Sequence, residues 1–316
     1  MHATETLTLA RLPSGVPLET TVHRYGTGAP VVYVQAAQHG REVNGTEVLR
    51  RLHARLLEAD LRGTVVAVPV ADPVTFDRVA YISPEPLDSV NTNMNRVWPG
   101  DAGGTLHERM AARLWEYAGD ADYAIDLHTG SPETLLHTVF YEGDESCRRL
   151  AEAFGTDLLL AEAAGDDAEA EWDSRDFGGK FRVAATREGI PAITPELAHN
   201  KQLVEPAIEA GVDGVLNVLR DVDVLAGDAD PWDGTVARNH LGRVRAADSG
   251  LFCPAEGARL GRDVSPGDRL GTLYHPTTYE ELQAVEADRD GILYSVAREA
   301  TVTAGSSLVG VAERVE

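Results

Sequence analysis

The sequence predicts an α/β fold: a mostly parallel sheet covered by helices, followed by a small all-β domain in the C-terminal part of the chain. Between about residues 30 and 220, short apolar runs rich in β-branched side chains alternate with stretches of helical pattern. This alternation is typical of parallel sheets with helices on both faces. After about residue 225, short strands separated by glycines replace the helices. We therefore expect two domains in the 316 residues, a large one over residues 1–225 and a smaller one over residues 236–316.

The strands and helices of the large domain are predicted from residue type and spacing. Asn44 and Glu47 have the spacing of a capping box at the first predicted helix, which continues to about residue 57. The other predicted helices cover residues 106–117 and 205–219. Strands are predicted over residues 31–34, 65–70, 123–127 and 190–194.

The C-terminal part begins after a linker-like segment at residues 227–231 and contains a weak internal repeat. Similar segments start at Gly250 and at Gly291, which predicts two hairpin units in a small barrel-sandwich domain. Lipoyl and biotinyl carriers share this architecture but attach their cofactor to a lysine, and this region contains none. A role in packing or dimerisation is therefore expected for this domain.

Acidic residues outnumber basic residues by 51 to 28, which gives a net charge of −23. This balance excludes a general nucleic-acid-binding protein, because the phosphate backbone repels an acidic surface. Lysine occurs only at Lys180 and Lys201. An acidic composition poor in lysine is typical of halophiles that accumulate salt, so we expect a haloarchaeal source. The alternative is an acidic surface that docks a basic partner, but the acidic residues are spread along the chain.

We expect the protein to gain stability as KCl rises from dilute buffer to molar concentration. At molar salt the Debye length is about 3 Å, so repulsion among the acidic residues is screened. Thermal melts across a KCl series measure this effect. A melting temperature that does not respond to salt would instead favour the docking-surface interpretation.

The compartment is predicted from cysteine usage and from the distribution of apolar residues. The two cysteines, Cys147 and Cys253, lie far apart in the sequence and suggest a reducing environment. The first residues lack the basic and apolar segments of a secretory signal. No apolar run reaches the roughly 18 residues of a membrane helix. We therefore expect a cytoplasmic protein without a membrane partner.

The strongest chemical motif is His39-Gly40-Arg41-Glu42, which follows the first predicted strand. A histidine and a carboxylate three residues apart can bind one cation. Catalytic zinc commonly takes two histidines and one carboxylate and keeps its fourth position for water. By itself the pair is a weak signal, because exposed polar residues near a helix start have the same spacing.

Two further polar residues are predicted at the same edge of the sheet. His128 follows the apolar strand at residues 123–127, and Glu196 follows the strand at residues 190–194. In open parallel sheets, ligands bind outside the carboxyl ends of the strands. We therefore expect these residues to lie near His39. The remaining histidines, such as His53 and His275, are expected at the surface or in packing.

A polar segment at residues 91–100 contains Asn95 and Arg96, followed by an aromatic residue and Pro-Gly. This composition is typical of an ordered loop. The guanidinium group of an arginine in such a loop can hold a substrate carboxylate through two parallel hydrogen bonds. The alternative is an arginine with a purely structural role.

Taken in this order, the motifs around His39, Asn95, His128 and Glu196 resemble the succinylglutamate desuccinylase/aspartoacylase family, which is related to the zinc carboxypeptidases. The resemblance covers about residues 30–220, and the C-terminal part is similar to the barrel-sandwich domain of that family. It implies a zinc-carboxypeptidase-like catalytic domain and one zinc ion per chain. Short motifs of this kind are unspecific alone, but the ordered set is specific.

The resemblance also implies roles for individual residues. The zinc ligands would be His39, Glu42 and His128, and the catalytic carboxylate would be Glu196. Asn95 and Arg96 would bind a substrate carboxylate, and Arg78 is the nearest candidate for polarising the scissile carbonyl, although its spacing is imperfect. The sequence departs from the family at Asn93, where the family usually has Asp, and at Ala198, where it usually has Gly.

The expected function is zinc-dependent hydrolysis of the amide bond in an N-acyl amino acid or a similar small carboxylate. The alternatives are a metallocarboxypeptidase that acts on short peptides and a zinc-binding protein without catalysis. Asp126 is expected on the opposite face of its strand from the metal, in a supporting or structural role. The oligomeric state is not readable from the sequence, although related proteins are often oligomeric.

Overall fold

The computed structural model describes residues 1–130, 133–163, 166–238 and 243–315. None of the helices in these ranges is long and apolar enough to cross a membrane. The helices are α1 (Asn44–Glu58), α2 (Pro73–Phe76), α3 (Leu106–Ala118), α4 (Glu145–Phe154), α5 (Asp166–Ser174), α6 (Phe181–Arg187) and α7 (Glu205–Asp221).

The strands form one long mixed sheet and a separate sheet of four strands. The long sheet has the order β1-β2-β4-β3-β5-β9-β7-β8-β10-β18-β16-β13, and the small sheet has the order β15-β14-β12-β17. The strands are β1 (His2–Arg11), β2 (Pro17–Gly26), β3 (Val31–Ala36), β4 (Thr64–Val68), β5 (Tyr123–Gly130), β6 (Glu133–Thr134), β7 (His137–Tyr141), β8 (Leu158–Glu162), β9 (Ala192–His199), β10 (Thr235–Arg238), β11 (Val244–Arg245), β12 (Gly250–Pro254), β13 (Asp263–Val264), β14 (Arg269–Tyr274), β15 (Glu281–Glu286), β16 (Gly291–Val296), β17 (Thr301–Val302) and β18 (Ser307–Arg314).

The centre of the long sheet is parallel and buried on both faces. Strands β4, β3, β5 and β9 run parallel to one another. Along β3, Val32 and Val34 face one apolar cluster, and Tyr33 faces the other. Helices α1, α4 and α7 supply buried side chains to the first cluster, and α3 and α6 supply them to the second. These layers match the predicted α/β architecture.

The sheet is mixed, whereas the sequence predicted a mostly parallel one. β1, β2 and β4 are linked antiparallel, and β7 runs antiparallel to β9. The predicted strands are the central ones, whose continuous apolar runs follow from burial on both faces. β1 and β2 alternate exposed and buried residues over much of their length, and this pattern gives no apolar run.

The start of α1 differs from the predicted capping box. Val43 is the residue before the helix, and no side chain caps it there. The amide of Asn44 is instead buried, where it donates to the carbonyl of Leu197 at 2.8 Å and accepts from the backbone of Val204 at 3.0 Å. Asn44 therefore ties α1 to the end of β9 and the start of α7.

The described residues of the C-terminal part form strands and connecting turns without a helix, as predicted, and several of the strands are hydrogen-bonded to the large domain. β10 pairs in parallel with β8 and antiparallel with β18, and β6 pairs with β16. The division into residues 1–225 and 236–316 therefore crosses a continuous sheet. These backbone hydrogen bonds join the C-terminal strands to the sheet of the large domain.

A buried cluster around His107 supports the loops at this edge. Its Nδ1 lies 3.2 Å from Asp88 Oδ2, and its Nε2 lies 3.0 Å from Ser83 Oγ and 3.5 Å from Asp72 Oδ2. Asp72 also caps α2 by accepting from the backbone of Val74. Burial opposes the charged form of His107, but the two carboxylates outweigh it and raise the pKa of the imidazole.

We expect His107→Gln to lower the free energy of unfolding by about 3 kcal/mol or more, because it leaves two buried carboxylates without their cationic partner. Since the raised pKa belongs to the folded state, the stabilisation from His107 is complete below its unfolded pKa and is lost as the pH rises through its folded pKa. Denaturant titrations between pH 5 and pH 9 measure both effects. An unchanged pH slope in the variant would contradict this role.

Candidate active site

The carboxyl ends of the central strands bring together the three residues with metal-ligand chemistry. His39 and Glu42 lie in the loop after β3, and His128 lies in β5. All three side chains are buried, and one possible ligand atom from each lies within 4.8 Å of the others. His128 Nδ1 lies 3.0 Å from Glu42 Oε2. The structure thus places these residues together, as expected from the sequence.

Each of the two imidazoles has one nitrogen committed to an oxygen. His39 Nδ1 lies 2.8 Å from the carbonyl oxygen of Tyr81. The His39 imidazole also stacks on the Tyr81 ring, with centroids 3.9 Å apart. His128 Nε2 lies 2.9 Å from Asp126 Oδ2. Histidines that bind metals commonly donate their other N–H in this way, which fixes the tautomer. His39 Nε2 and His128 Nδ1 are then the nitrogens left for a ligand role, and His128 Nδ1 already contacts Glu42.

Asp126 lies on the same face of β5 as His128. The expectation that Asp126 lies on the face opposite the metal ligands is therefore wrong. Side chains two residues apart on a strand point to the same side. The buried Asp126 carboxylate also accepts from Gln35 Nε2 at 3.1 Å and from Gln38 Nε2 at 2.7 Å. It therefore orients His128 from within a buried polar network, which agrees with the supporting role expected from the sequence.

The charged groups of the site shift one another's pKa values. Burial lowers the pKa of His39 to about 4, against the attraction of Glu42. Burial also opposes the charge on His128, but Asp126 and Glu42 outweigh it and raise its pKa well above 6.5. Burial raises the pKa of Glu196 to about 7; the charge of His128 opposes this rise, and the carboxylate of Glu42 adds to it.

Glu196 lies in β9, next to His128 across the sheet. The two residues are paired in the parallel ladder between β5 and β9. Both line one cavity of about 360 Å³, together with His39 and Glu42. A carboxylate beside a potential metal-binding triad can act as a general base or acid. The cavity therefore combines ligand chemistry with acid–base chemistry.

Asn95 and Arg96 lie in a short 3₁₀ turn that forms another part of the cavity wall. The buried Asn95 amide accepts from the backbone N–H of Phe181 at 2.9 Å, and its Nδ2 lies 3.3 Å from His128 Nε2. Asn93 caps this turn by accepting from the backbone of Asn95. An Asp at this position can accept the same hydrogen bond, so the departure at Asn93 preserves the turn.

Arg96 is partly exposed and keeps donors for a ligand. Its Nη1 donates to the carbonyl of Asn95 at 2.7 Å, and its Nε forms a 3.6 Å ion pair with Asp176, which is 93% exposed. A guanidinium group carries five N–H donors in a planar fork. The structure therefore leaves Arg96 capable of the bidentate contact that the sequence suggested.

Arg78 is not among the residues that line the cavity. Its Nη1 instead donates to the carbonyl of Val74 at 3.1 Å, within the α2 region. Arg41, from the His39 motif, does line the cavity, with its guanidinium group 4.7 Å from the centre of the Tyr81 ring. The tertiary structure thus offers a different arginine from the one that the family resemblance suggested.

Several cavity residues had no assigned role in the sequence analysis. The C-terminal part contributes Arg243, and helix α6 and the residue before it contribute Arg182 and Lys180. Arg182 forms a buried ion pair with Glu162. Burial lowers the pKa of Lys180 to about 8, against the attraction of Glu162. Lys180 is one of only two lysines in the chain. This rarity is the sequence feature that could have marked Lys180 as a candidate site residue.

The backbone conformation and surroundings explain why small residues occur at two positions of the motifs, Gly40 and Ala198. At Gly40, a Cβ atom would lie 2.0 Å from the backbone of Thr75, so only glycine allows the close approach of the α2 segment. Ala198 has a φ of 60°, in the left-handed region that favours glycine. The Gly that the resemblance implied at this position therefore matches its backbone conformation.

The chain is similar to known proteins over most of its length. The family model of the succinylglutamate desuccinylase/aspartoacylase catalytic domain matches residues 28–222. An N-alpha-acetyl-L-2,4-diaminobutyric acid deacetylase from Halomonas elongata is 29% identical over 95% of this chain and 87% of its own length.

Solved structures share the fold over nearly the whole chain. A succinylglutamate desuccinylase/aspartoacylase from Rhodobacter sphaeroides has a TM-score of 0.84 at 23% identity, covering 99% of this chain and 96% of its own. The product-bound ectoine utilization protein EutE (DoeB) from Ruegeria pomeroyi has a TM-score of 0.82 at 22% identity, covering 99% and 94%. Since the family model spans well over half of the sequence, the chain belongs to the succinylglutamate desuccinylase/aspartoacylase family.

Proposed function

We propose that this protein is a zinc-dependent amidohydrolase that removes the acyl group from an N-acyl amino acid or a similar small carboxylate. The observation that carries this proposal is the pairing of His128 with Glu196 across β5 and β9, which sets a carboxylate beside the triad of His39, Glu42 and His128. The name of the Halomonas relative supports the same class of substrate.

The residues of the triad fit a zinc ion by their chemistry. Two imidazoles and one carboxylate are the donor set of many catalytic zinc sites. His39 Nδ1 and His128 Nε2 are each held by an oxygen, and His128 Nδ1 lies beside Glu42, the carboxylate that would share a cation with it. When bound, zinc supplies Lewis-acid activation of water and of the substrate carbonyl.

The residues of the chain have distinct roles in the proposed reaction. Glu196 accepts a proton from the attacking water and passes it to the leaving amine, so that the amide is cleaved into a carboxylic acid and a free amine. Asp126 holds His128 in its orientation through the Nε2 contact of 2.9 Å. Arg41, rather than Arg78, is the candidate for stabilising the developing oxyanion, because it lines the cavity beside the triad.

Substrate size and charge follow from the cavity walls. Arg96 and Arg243 come from different parts of the fold, and both line the cavity. The cavity volume of about 360 Å³ suits a small molecule. Cationic groups at the walls favour a substrate with at least one carboxylate. Arg243, directly before β11, adds a cationic residue of the C-terminal part to the cavity wall, and such a wall disfavours the alternative of a peptide-trimming carboxypeptidase.

The proposal is tested by removing the metal, restoring zinc and measuring hydrolysis of a panel of substrates at each stage. The protein is stripped with a chelator, reloaded with zinc, and assayed on N-acetyl and N-succinyl amino acids, including N-acetyl-diaminobutyrate, and on short peptides. We expect amine release from acyl amino acids to vanish on stripping and return on reloading. Activity confined to peptides would favour the carboxypeptidase alternative, and zinc binding without turnover of either class would favour the non-catalytic one.

Arg96→Ala is expected to raise KM by about tenfold or more with a smaller change in kcat. The substitution removes a bidentate contact that substrate and transition state share, and uniform binding of this kind affects KM. Initial-rate kinetics on the best acyl amino acid measure it. Arg78→Ala is the matched control, with no expected change in KM, because Arg78 does not line the cavity. An equal effect of both variants would contradict the assignment.

A further inference from the structure

Three histidines from three separate elements converge at a second place on the molecule. His2 lies at the start of β1, His23 in β2 and His53 in α1. Their ring centroids are 5.1 to 5.7 Å apart. One ring nitrogen from each lies within 4.8 Å of the other two. His53 was expected from the sequence to be a surface or packing residue, because only the fold brings the three histidines together.

The strand register explains why these side chains meet. His2 is paired with Tyr25 in the ladder between β1 and β2. His23 lies two residues before Tyr25, so its side chain emerges on the same face as those of His2 and Tyr25. Helix α1 packs on this face and adds His53. A β-hairpin and a helix therefore hold the three rings.

The spacing of the nitrogens matches that of metal ligands. His2 Nε2 lies 3.3 Å from His23 Nδ1. Zinc–nitrogen bonds of about 2.0–2.1 Å in tetrahedral geometry place two ligand nitrogens about 3.3 Å apart. Two histidines of the cluster are thus already at the separation that a shared ion requires.

Tyr25 orients the third ring. Its hydroxyl oxygen lies 2.7 Å from His53 Nδ1, so an N–H at that nitrogen can donate to Tyr25 and leave Nε2 as the acceptor. This arrangement is the one that metal-binding histidines commonly show toward an oxygen partner. His2 also stacks on the Tyr25 ring, with centroids 4.6 Å apart. A single tyrosine therefore positions two of the three imidazoles.

The three possible ligands of the cluster are all imidazoles. Neutral imidazole is the form that binds a metal, since the protonated ring has no free lone pair. The net charge of −23 further attracts cations to the molecule.

We propose that His2, His23 and His53 form a second metal site, which binds one divalent transition-metal ion of the nickel, copper and zinc group. Neutral imidazole donors suit these ions. The ion would link β1, an edge strand of the long sheet, to helix α1. His53 lies nine residues after Asn44, about 14 Å along the helix, so this site is separate from the catalytic triad.

The site is tested on the full-length protein with its catalytic zinc bound. Zn²⁺ and Ni²⁺ are titrated by calorimetry, and metal content is measured after gel filtration. We expect a second equivalent of metal and a higher melting temperature, because binding to the folded state alone stabilises it. His23→Ala and His53→Ala, made separately, should each lose the second equivalent and retain the first. His275→Ala is the matched control and should retain both.

Tyr25→Phe tests the positioning of His53 and should weaken the second site by about 10- to 100-fold. Retention of the second equivalent in both His23→Ala and His53→Ala would overturn the proposal. Binding that requires only His2 would also overturn it, because it would point to chelation by the amino terminus. Absence of a second equivalent would do the same. Loss of the first equivalent in His39→Ala/His128→Ala concerns the catalytic site alone, so the two proposals fail independently.

Discussion

Glu196→Gln is expected to lower kcat by at least about 10²-fold while the protein keeps its metal. A positioned general acid–base group typically contributes 10²- to 10⁴-fold to the rate. Glutamine preserves the size and the hydrogen-bonding outline of the side chain but cannot accept a proton. Single-turnover assays on the best substrate, together with metal analysis of the same sample, measure the two properties side by side.

The fold of this variant should persist, because the substitution is nearly isosteric, and circular dichroism and thermal melts check this. Glu162→Gln is a useful comparison, since Glu162 is also buried but its carboxylate pairs with Arg182, whereas Glu196 is the residue paired with His128 across β5 and β9. It should affect stability more than the chemical step. If Glu196→Gln remains folded but loses its metal, Glu196 is a ligand, and the roles of Glu42 and Glu196 must be exchanged.

The double variant His39→Ala/His128→Ala should lose both the metal and the activity. The protein is expected to carry about one catalytic zinc ion per chain, and removing two of three ligands leaves Glu42 alone to bind it. Activity should fall to the background level. Metal analysis is best performed on a triple variant that also carries His53→Ala, so that an ion at the second proposed site does not contribute.

His137→Ala serves as the matched control for this loss. His137 also lines the cavity and is buried, but its Nδ1 lies 2.8 Å from the carbonyl oxygen of Leu135, and it is outside the triad. The control should retain its zinc. Stoichiometric metal in the double variant would refute the assignment of His39 and His128 as ligands.

The sequence by itself determined the central parallel strands and the order of the catalytic motifs. Strands buried on both faces require continuous apolar runs, so β3, β4 and β5 are visible in the sequence. The residues that follow such strands collect at one sheet edge, which is why His39, His128 and Glu196 were expected together. Their roles as ligands and base remain predictions for the variants above.

Other features depend on contacts between distant segments, which no local pattern records. β1 and β2 alternate buried and exposed residues, so they gave no apolar run and the sheet was expected to be more parallel than it is. Asn44 resembled a helix cap in sequence, but its amide forms hydrogen bonds with the backbone of Leu197 in β9 and of Val204 before α7. Residue type and spacing predict local structure, whereas the partner of a polar group is chosen by the packing around it.

The same reason explains which site residues were missed. Arg78 was the arginine that the family resemblance suggested, whereas Arg41 lines the cavity. Arg243 also lines it, directly before β11, which pairs with β18 of the long sheet. The cluster of His2, His23 and His53 requires both the strand register and the packing of α1. The sequence determined which chemistry gathers at the carboxyl edge, and only the tertiary structure decided which charged side chains complete it, because their approach is set by contacts between segments far apart in the chain.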